Sequence, residues 1–267
     1  MFYDKVIIIT GSAQGIGLTT AELLVRKGAS VVINSRSQQK VDLAIQKLST
    51  ISPNIIGIAG DVRQEAFCKE LRDRTIERFG RIDILINNAG VASGGLIKDM
   101  LPDTFASVIQ TNLLGSVNPT IACLNDIRKN KGAVLFIGSV AGIVGLPNYA
   151  PYSASKKALV SLAESLRNEL SGEGVFVGIN YPGFTENETD KTIMNAKGEM
   201  VPLLKRQSVH INSRYKTAGR IVEQLEKRKF RMYSDFYAAL VQVMYRFFPG
   251  LTMLGIKLNR KKILDMQ

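Results

Sequence analysis

The chain has 267 residues, 45% hydrophobic and 22% charged, a balance that suits a folded domain with a large core and excludes a disordered or low-complexity polymer. Its two cysteines, Cys68 and Cys123, are far apart and form no C-x-x-C pair, and His210 is the one histidine. A disulfide framework and a metal centre are therefore not expected; the cysteines read as small core hydrophobes and His210 as a surface or loop residue. The formal charge is +12, and residues 202–267 hold fourteen lysines and arginines against four acidic residues, so ten of the twelve net charges lie there. Such a basic end suits a solvated face, an anionic membrane surface or a polyanionic cofactor; it contains no recognisable nucleic-acid-binding module.

Strand-like and helix-like stretches alternate from the first residues. The apolar run at Val6–Ile9 is too short for the core of a signal peptide and reads as a buried strand, so the cytosol, or the cytosolic face of a membrane, is the expected compartment. A helix is predicted from Gly15 to Lys27, stopped by Gly28, then a strand at 31–33, a helix at 38–48, a strand at 55–59 ending in Gly60-Asp61, and a helix at 65–79. A strand at 84–86 runs into Asn87-Asn88-Ala89-Gly90. Asp103 or Thr104 is expected to cap a long helix reaching about Asn130, bent or split at Pro119. A strand at 133–137, a helix at 153–171 and a strand at 175–179 complete six repeats. This order specifies an α/β fold, one Rossmann-type, doubly wound parallel sheet with helices on both faces. Ligands in such sheets bind outside the carboxyl ends of the strands, and the notable polar residues cluster there.

The turn Thr10-Gly-Ser-Ala-Gln-Gly-Ile-Gly17 follows the first strand and opens the first helix. Its glycines let the backbone approach a pyrophosphate, while the helix offers free N–H groups and its positive dipole end; Gly11, Ser12, Gln14, Gly15, Ile16 and Gly17 are the candidate contacts. Asp61 can accept from an adenine amino group with Val62 against the ring, or serve as a helix cap. The second strand ends in Asn34-Ser35-Arg36, where an acidic residue would hold the ribose hydroxyls of NAD. Ser35 and Arg36 suit a 2′-phosphate, which favours NADP over NAD. Tyr152 and Lys156, spaced i and i+4, share a helix face, and an ammonium beside a phenol favours the phenolate. Ser139, at the end of the fifth strand, supplies a hydroxyl for a substrate oxygen.

Taken together these motifs resemble the short-chain dehydrogenase/reductase family over roughly residues 4–185. Thr10 to Gly17 match its T-G-x-x-x-G-x-G, Asn87 to Gly90 its N-N-A-G, Tyr152 to Lys156 its Y-x-x-x-K, Ser139 its active-site serine, and Asn112 its catalytic asparagine. The resemblance implies hydride transfer between a nicotinamide and a ketone/alcohol pair. Tyr152 would be the acid/base, Ser139 would orient the oxygen, Lys156 would bind ribose and lower the Tyr152 pKa, and Asn112 would help hold a proton-relay water. Asn88, Ala89, Gly90, Pro182, Gly183 and Thr185 would line the cofactor, with Asn187 an alternative to Thr185. A homodimer or homotetramer is implied. The pattern departs from many NADP-preferring members in having Ala13-Gln14, and no basic residue, inside the glycine turn.

Two parts are expected: a catalytic domain at 1–233, with a substrate-covering loop at 184–209, and a basic, apolar helical extension at 234–267. Within the loop Met194, Met200, Val201, Leu203 and Leu204 are candidates for an apolar pocket. A helix is predicted at 217–229 and a last strand at 230–233. From Phe236 to Ile256 the only charged side chain is Arg246, but Pro249-Gly250 breaks the stretch, and a stripe of Phe236, Ala239, Leu240, Val243, Met244 and Phe247 precedes Lys257, Arg260, Lys261 and Lys262. A helix lying in a membrane interface fits this pattern, as does a helical pair covering the substrate pocket or a subunit interface. The reading is an NADP-dependent oxidoreductase of an apolar, lipid-like ketone or alcohol. A redox-sensing NADP(H)-binding protein, or an epimerase or dehydratase using the same cofactor, are the alternatives.

Overall fold

The computed structural model describes residues 1–188, 192–203 and 211–264. The strands are β1 (Val6–Ile9), β2 (Ser30–Ser35), β3 (Ile55–Ala59), β4 (Ile84–Asn87), β5 (Ala133–Ile137), β6 (Phe176–Tyr181), β7 (Thr192–Met194), β8 (Met200–Pro202) and β9 (Arg231–Tyr233). The helices are α1 (Gly15–Arg26), α2 (Gln38–Ser49), α3 (Glu65–Phe79), α4 (Pro102–Ile109), α5 (Gly115–Lys129), α6 (Ala150–Glu169), α7 (Arg214–Lys227), α8 (Phe236–Phe247), α9 (Pro249–Leu258) and α10 (Arg260–Leu264). Seven strands form one parallel sheet in the order β3-β2-β1-β4-β5-β6-β9, so the strand order reverses between β1 and β4.

Alternation along the strands builds two cores, because successive side chains point to opposite faces. Ile7 and Ile9 of β1, Val31 and Ile33 of β2 and Leu135 of β5 face one way, onto α1, α2 and α7. Ile8, Val32, Leu85 and Phe136 face the other, onto α3, α5 and α6. Both faces being covered, β1, β5 and β6 are buried along their whole length, which is why β1 and β5 read as unbroken apolar runs. Cys68 and Cys123 are free thiols in the second core, pushed up to about 12 by burial, and therefore inert. His210 lies outside the described residues.

Several boundaries differ from the sequence expectation. The helix expected at 153–171 begins earlier, at Ala150, with Pro151 in its first turn, where the missing N–H has no intrahelical partner to lose. The helix expected from 103 to 130 starts at Pro102, with neither Asp103 nor Thr104 capping it, and is interrupted well before Pro119. The interruption is a π turn over Gln110–Leu114, and α5 then runs on through Pro119, where the bend or split was expected from the sequence. Asp61 does not cap α3; Gln64 holds that position. Residues 192–202 form an antiparallel pair, β7 with β8, and no helix.

Candidate active site

A cleft of about 930 Å³ runs along the carboxyl ends of the strands, across the point where the strand order reverses. Its floor begins at the glycine turn. Gly11 and Gly15 have φ of 61° and 59°, the left-handed region that favours glycine. A Cβ on Gly11 would lie 2.7 Å from the Ala89 Cα, and one on Gly17 2.5 Å from the Asn88 amide nitrogen, so the turn can seat only bare backbone against the loop after β4. That loop is fixed in return: the Thr10 hydroxyl accepts from the backbone N–H groups of Asn88 and Ala89, and the Asn88 amide donates to the carbonyls of Thr10 and Gly11. Ser12 is wholly buried and donates to the Ile9 carbonyl; it supports the turn from behind and does not line the cleft. Nothing lies within 4 Å of where a Gly15 Cβ would stand, while the Gly15 N–H is taken by the Glu188 carboxylate at 3.1 Å.

Ser35, Arg36, Ser37 and Lys40 line the far end of the cleft. Arg36 is exposed, and Lys40 donates to the Gln14 side chain at 2.7 Å. Asp61 and Val62 line the cleft beside them. Burial alone would raise the Asp61 carboxyl, but hydrogen bonds from the Arg63 side chain and N–H, with the Arg63 and Arg36 charges, outweigh it and hold the carboxyl below its usual range.

The other end holds the candidate reacting groups. Ser139 follows β5; its hydroxyl oxygen accepts from the Ala141 N–H at 3.2 Å, opening a short 3-10 turn and leaving its O–H to donate into the cleft. Tyr152 and Lys156 both line the cleft from α6. The Lys156 ammonium is buried, donates to the Ile137 carbonyl at 2.8 Å and lies 5.8 Å from the centre of the Tyr152 ring. Burial lowers its pKa from 10.5 to about 8, so it still carries its charge through most of its population at neutral pH.

Asn112 sits in the π turn, fully buried and behind the cleft wall. Its carbonyl accepts from the Val91 N–H at 2.7 Å, and its amide donates to the Val91 carbonyl and the Ser155 hydroxyl, each at 3.0 Å. Ser155 in turn donates to the Tyr152 carbonyl at 2.8 Å, so one amide ties the loop after β4 to the helix that carries Tyr152. Thr111, the neighbour of Asn112, is the residue of this turn that lines the cleft.

A model described as short chain dehydrogenase matches residues 5–198. The chain belongs to the short-chain dehydrogenase family. Among its relatives are an 11-beta-hydroxysteroid dehydrogenase-like protein of Arabidopsis thaliana, 37% identical over 68% of this chain and 62% of its own, and an uncharacterised oxidoreductase of Thermotoga maritima, 32% identical over 79% and 83%. The chain thus aligns with less than two thirds of the plant relative. A short-chain dehydrogenase/reductase of Burkholderia phymatum, solved with NAD, shares the fold at a TM-score of 0.82 and 23% identity, covering 94% of this chain and 95% of that one.

Pro182, Gly183 and Thr185 also line the cleft, but the Thr185 hydroxyl is turned to other partners. It donates to the Gly183 carbonyl at 3.2 Å or shares a hydrogen bond with Thr217 at 3.0 Å. Asn187 also lines the cleft. Gly183 has no room for a side chain, because Asp235 stands where a Cβ would go. Asp235 accepts from the Ala238 N–H at 2.7 Å, capping α8, and from the Asn212 amide, which anchors the C-terminal extension directly on the Pro182-Gly183 turn.

The apolar wall of the pocket is not where the sequence reading put it. Met194, Met200, Val201 and Leu203 do not line the cleft, and Leu204 lies outside the described residues. Met194 pairs instead with Ser93, which spends β7 on covering the loop after β4. Tyr237 and Val241 of α8, Thr252, Gly255 and Ile256 of α9, Asn259 and Ile263 supply the wall. The apolar stripe of α8 faces outward, with Phe236 81% and Phe247 65% exposed; Val241 and Tyr245, on the other side, meet the core. A helical pair of the extension covering the pocket is one of the sequence readings, but Asn34, Lys40 and the individual wall residues are not named by it. For Lys40, its place one turn into the helix after Arg36 was an available signal.

Proposed function

We propose that the protein is an NADP-dependent oxidoreductase interconverting an apolar ketone and its secondary alcohol. The observation that carries this reading is the meeting of Ser139, Tyr152 and a buried, cationic Lys156 at one end of a cleft whose other end is a glycine turn. The bare-backbone approach at Gly11 and Gly17 and the left-handed turn at Gly15 fit a dinucleotide. When bound, the nicotinamide supplies or takes up a hydride at the carbonyl carbon.

The chain's own residues handle the oxygen and the proton. Ser139 donates to the substrate oxygen and fixes it beside the Tyr152 phenol. In the reductive direction Tyr152 gives up its proton as negative charge develops on that oxygen, and the Lys156 charge stabilises the phenolate left behind. Asn112 holds Tyr152 at the required place through Ser155. Arg36 and Lys40 favour NADP, since both reach the end of β2 and Asp61, the carboxylate nearby, is neutralised by Arg63 at 2.6 Å. The wall from α8 to Ile263 is largely apolar, which supports a lipid-like or fused-ring substrate. The name of the plant relative, a hydroxysteroid dehydrogenase-like protein, points the same way.

The same helices carry the membrane reading. Their outer face exposes Phe236, Leu240, Phe247, Leu251, Leu254 and Leu258, and Arg246, Lys257, Arg260 and Lys261 stand exposed around it. Among the described residues no helix is long and apolar enough to cross a membrane. An apolar patch ringed by cations suits the surface of an anionic bilayer, on the cytosolic face, and would let an apolar substrate pass from lipid into the cleft behind it.

The test is direct. Purified protein is titrated with NADPH and NADH by cofactor fluorescence and then screened for reduction of steroid-like and long-chain ketones. Tighter NADH binding would overturn the NADP assignment, and a product with no net redox change would move the reading to epimerisation. Sedimentation with phosphatidylcholine vesicles, with and without phosphatidylserine, should show binding only to the anionic ones, lost in Phe247→Glu/Leu251→Glu. A stable dimer that ignores both vesicles would assign the patch to a second subunit.

A further inference from the structure

One contact in the cleft is out of keeping with an anion-binding turn. The Glu188 carboxylate reaches across from the segment after β6, and its Oε1 accepts from the Gly15 N–H at 3.1 Å. The same oxygen accepts from Nη1 of Arg214, the first residue of α7. Two donors from separate elements, one of them a guanidinium, thus converge on a single anionic oxygen at the start of α1. Glu186 steadies the guanidinium from the side, accepting from the Arg214 backbone N–H at 3.2 Å with its carboxylate 3.8 Å from Nε. Both carboxylates line the cleft.

We infer that Arg214 is a ligand for the pyrophosphate of the dinucleotide, and that Glu188 fills the same oxygen position until the dinucleotide arrives. The inference rests on the cofactor assigned under the proposed function. A carboxylate oxygen and a phosphate oxygen make the same demand on a backbone N–H and a guanidinium, and the guanidinium fork suits phosphate particularly well. Glu188 and a pyrophosphate cannot share these donors, because two anions within hydrogen-bonding distance repel. Binding therefore exchanges one anion for the other, and the Glu186 contacts keep Arg214 in place during the exchange. The cofactor-free protein is held partly closed, and its apparent affinity is reduced by the fraction of molecules in which Glu188 is seated.

The contact to be broken is one partly exposed ion pair plus one hydrogen bond, so freeing the site should tighten binding about five- to thirtyfold. The experiment is a calorimetric titration of NADP⁺ and of 2′-AMP, which has the ribose phosphate but no pyrophosphate, into four proteins: wild type, Glu188→Gln, Glu186→Gln and Glu188→Gln/Arg214→Gln. Glu188→Gln should bind NADP⁺ more tightly by that factor and 2′-AMP no differently. Glu186→Gln removes the same charge from the same segment but also part of the support of Arg214, so it should leave NADP⁺ affinity unchanged or weaker. A gain equal to that of Glu188→Gln would mark a general charge effect and overturn the inference. Adding Arg214→Gln to Glu188→Gln should cost about tenfold or more, the loss of a charge-assisted hydrogen bond.

An unchanged or weakened NADP⁺ affinity in Glu188→Gln overturns the inference, as does an equal gain for 2′-AMP, which would mark a general field effect. So does a double variant that binds as tightly as Glu188→Gln. Failure of the wild type to bind NADP⁺ or NAD⁺ at all would remove the cofactor assignment, and this inference with it. Binding by the wild type with a silent Glu188→Gln overturns this inference and leaves the cofactor assignment standing.

Discussion

Lys156→Met should make the cofactor-free protein more stable at neutral pH while abolishing turnover. The ammonium is 5% exposed, and burial lowers its pKa from 10.5 to about 8. Between those values the unfolded chain keeps a proton that the folded chain has released, so stability rises with pH through the window from about 8 to 10.5. Below it the folded state carries the full cost of a buried charge. A fall in pKa from 10.5 to about 8 makes that cost on the order of 3 kcal/mol. Methionine removes the charge and fills most of the volume, but leaves the Ile137 carbonyl without its donor, an offset of about 1 kcal/mol. A gain of about 2 kcal/mol at pH 7 remains. Urea denaturation of both proteins at pH 7 and at pH 10 measures it. The variant's advantage should be large at pH 7 and mostly gone at pH 10, where the wild-type lysine is neutral in the folded state. An advantage that does not change between the two pH values, or a variant less stable at pH 7, would refute the reasoning and mean that the burial cost is met elsewhere in the site.

Tyr152→Phe should keep the fold and the affinity for NADP(H) but lower kcat by about 10²- to 10⁴-fold, the usual worth of a positioned proton donor, as read by steady-state assay on any substrate the wild type turns over. Arg36→Asp/Lys40→Asp should reverse the preference between NADPH and NADH, because carboxylates at the end of β2 repel the 2′-phosphate; competitive titration of the two cofactors would show it. Gly17→Ala should destabilise the protein by about 1–3 kcal/mol and weaken cofactor binding, since the new methyl group meets the Asn88 amide, the Ser12 Cα and the Gly11 carbonyl within 2.9 Å; chemical denaturation and titration read the two effects. Asn112→Ala should lower thermal stability and kcat together, with a smaller effect on cofactor affinity, because it unpairs both polar groups of Val91 and releases Ser155 from beside Tyr152.

The sequence by itself determined the sheet, its parallel sense and the ends of the strands at which ligands gather, because those follow from local patterns. Unbroken apolar runs mark strands covered on both faces, and glycines mark the turn where backbone must approach a phosphate. It also determined that Ser139, Tyr152 and Lys156 belong together, since Tyr152 and Lys156 are one helical turn apart and Ser139 ends the neighbouring strand. Everything set by contact between distant segments was left to the tertiary structure. The family resemblance singles out Asn112, but only the π turn shows that its amide ties Val91 to Ser155. The outward face of α8 is as apolar as the inward one, so periodicity could not tell which side meets the core; the anchoring of Asp235 on the Gly183 turn decided it. Glu188, Gly15 and Arg214 come from three elements far apart in the chain, and no spacing rule joins them. Local propensity is written in neighbouring residues, whereas the wall of the pocket, the support of the tyrosine and the occupant of the phosphate turn arise only when the chain closes on itself.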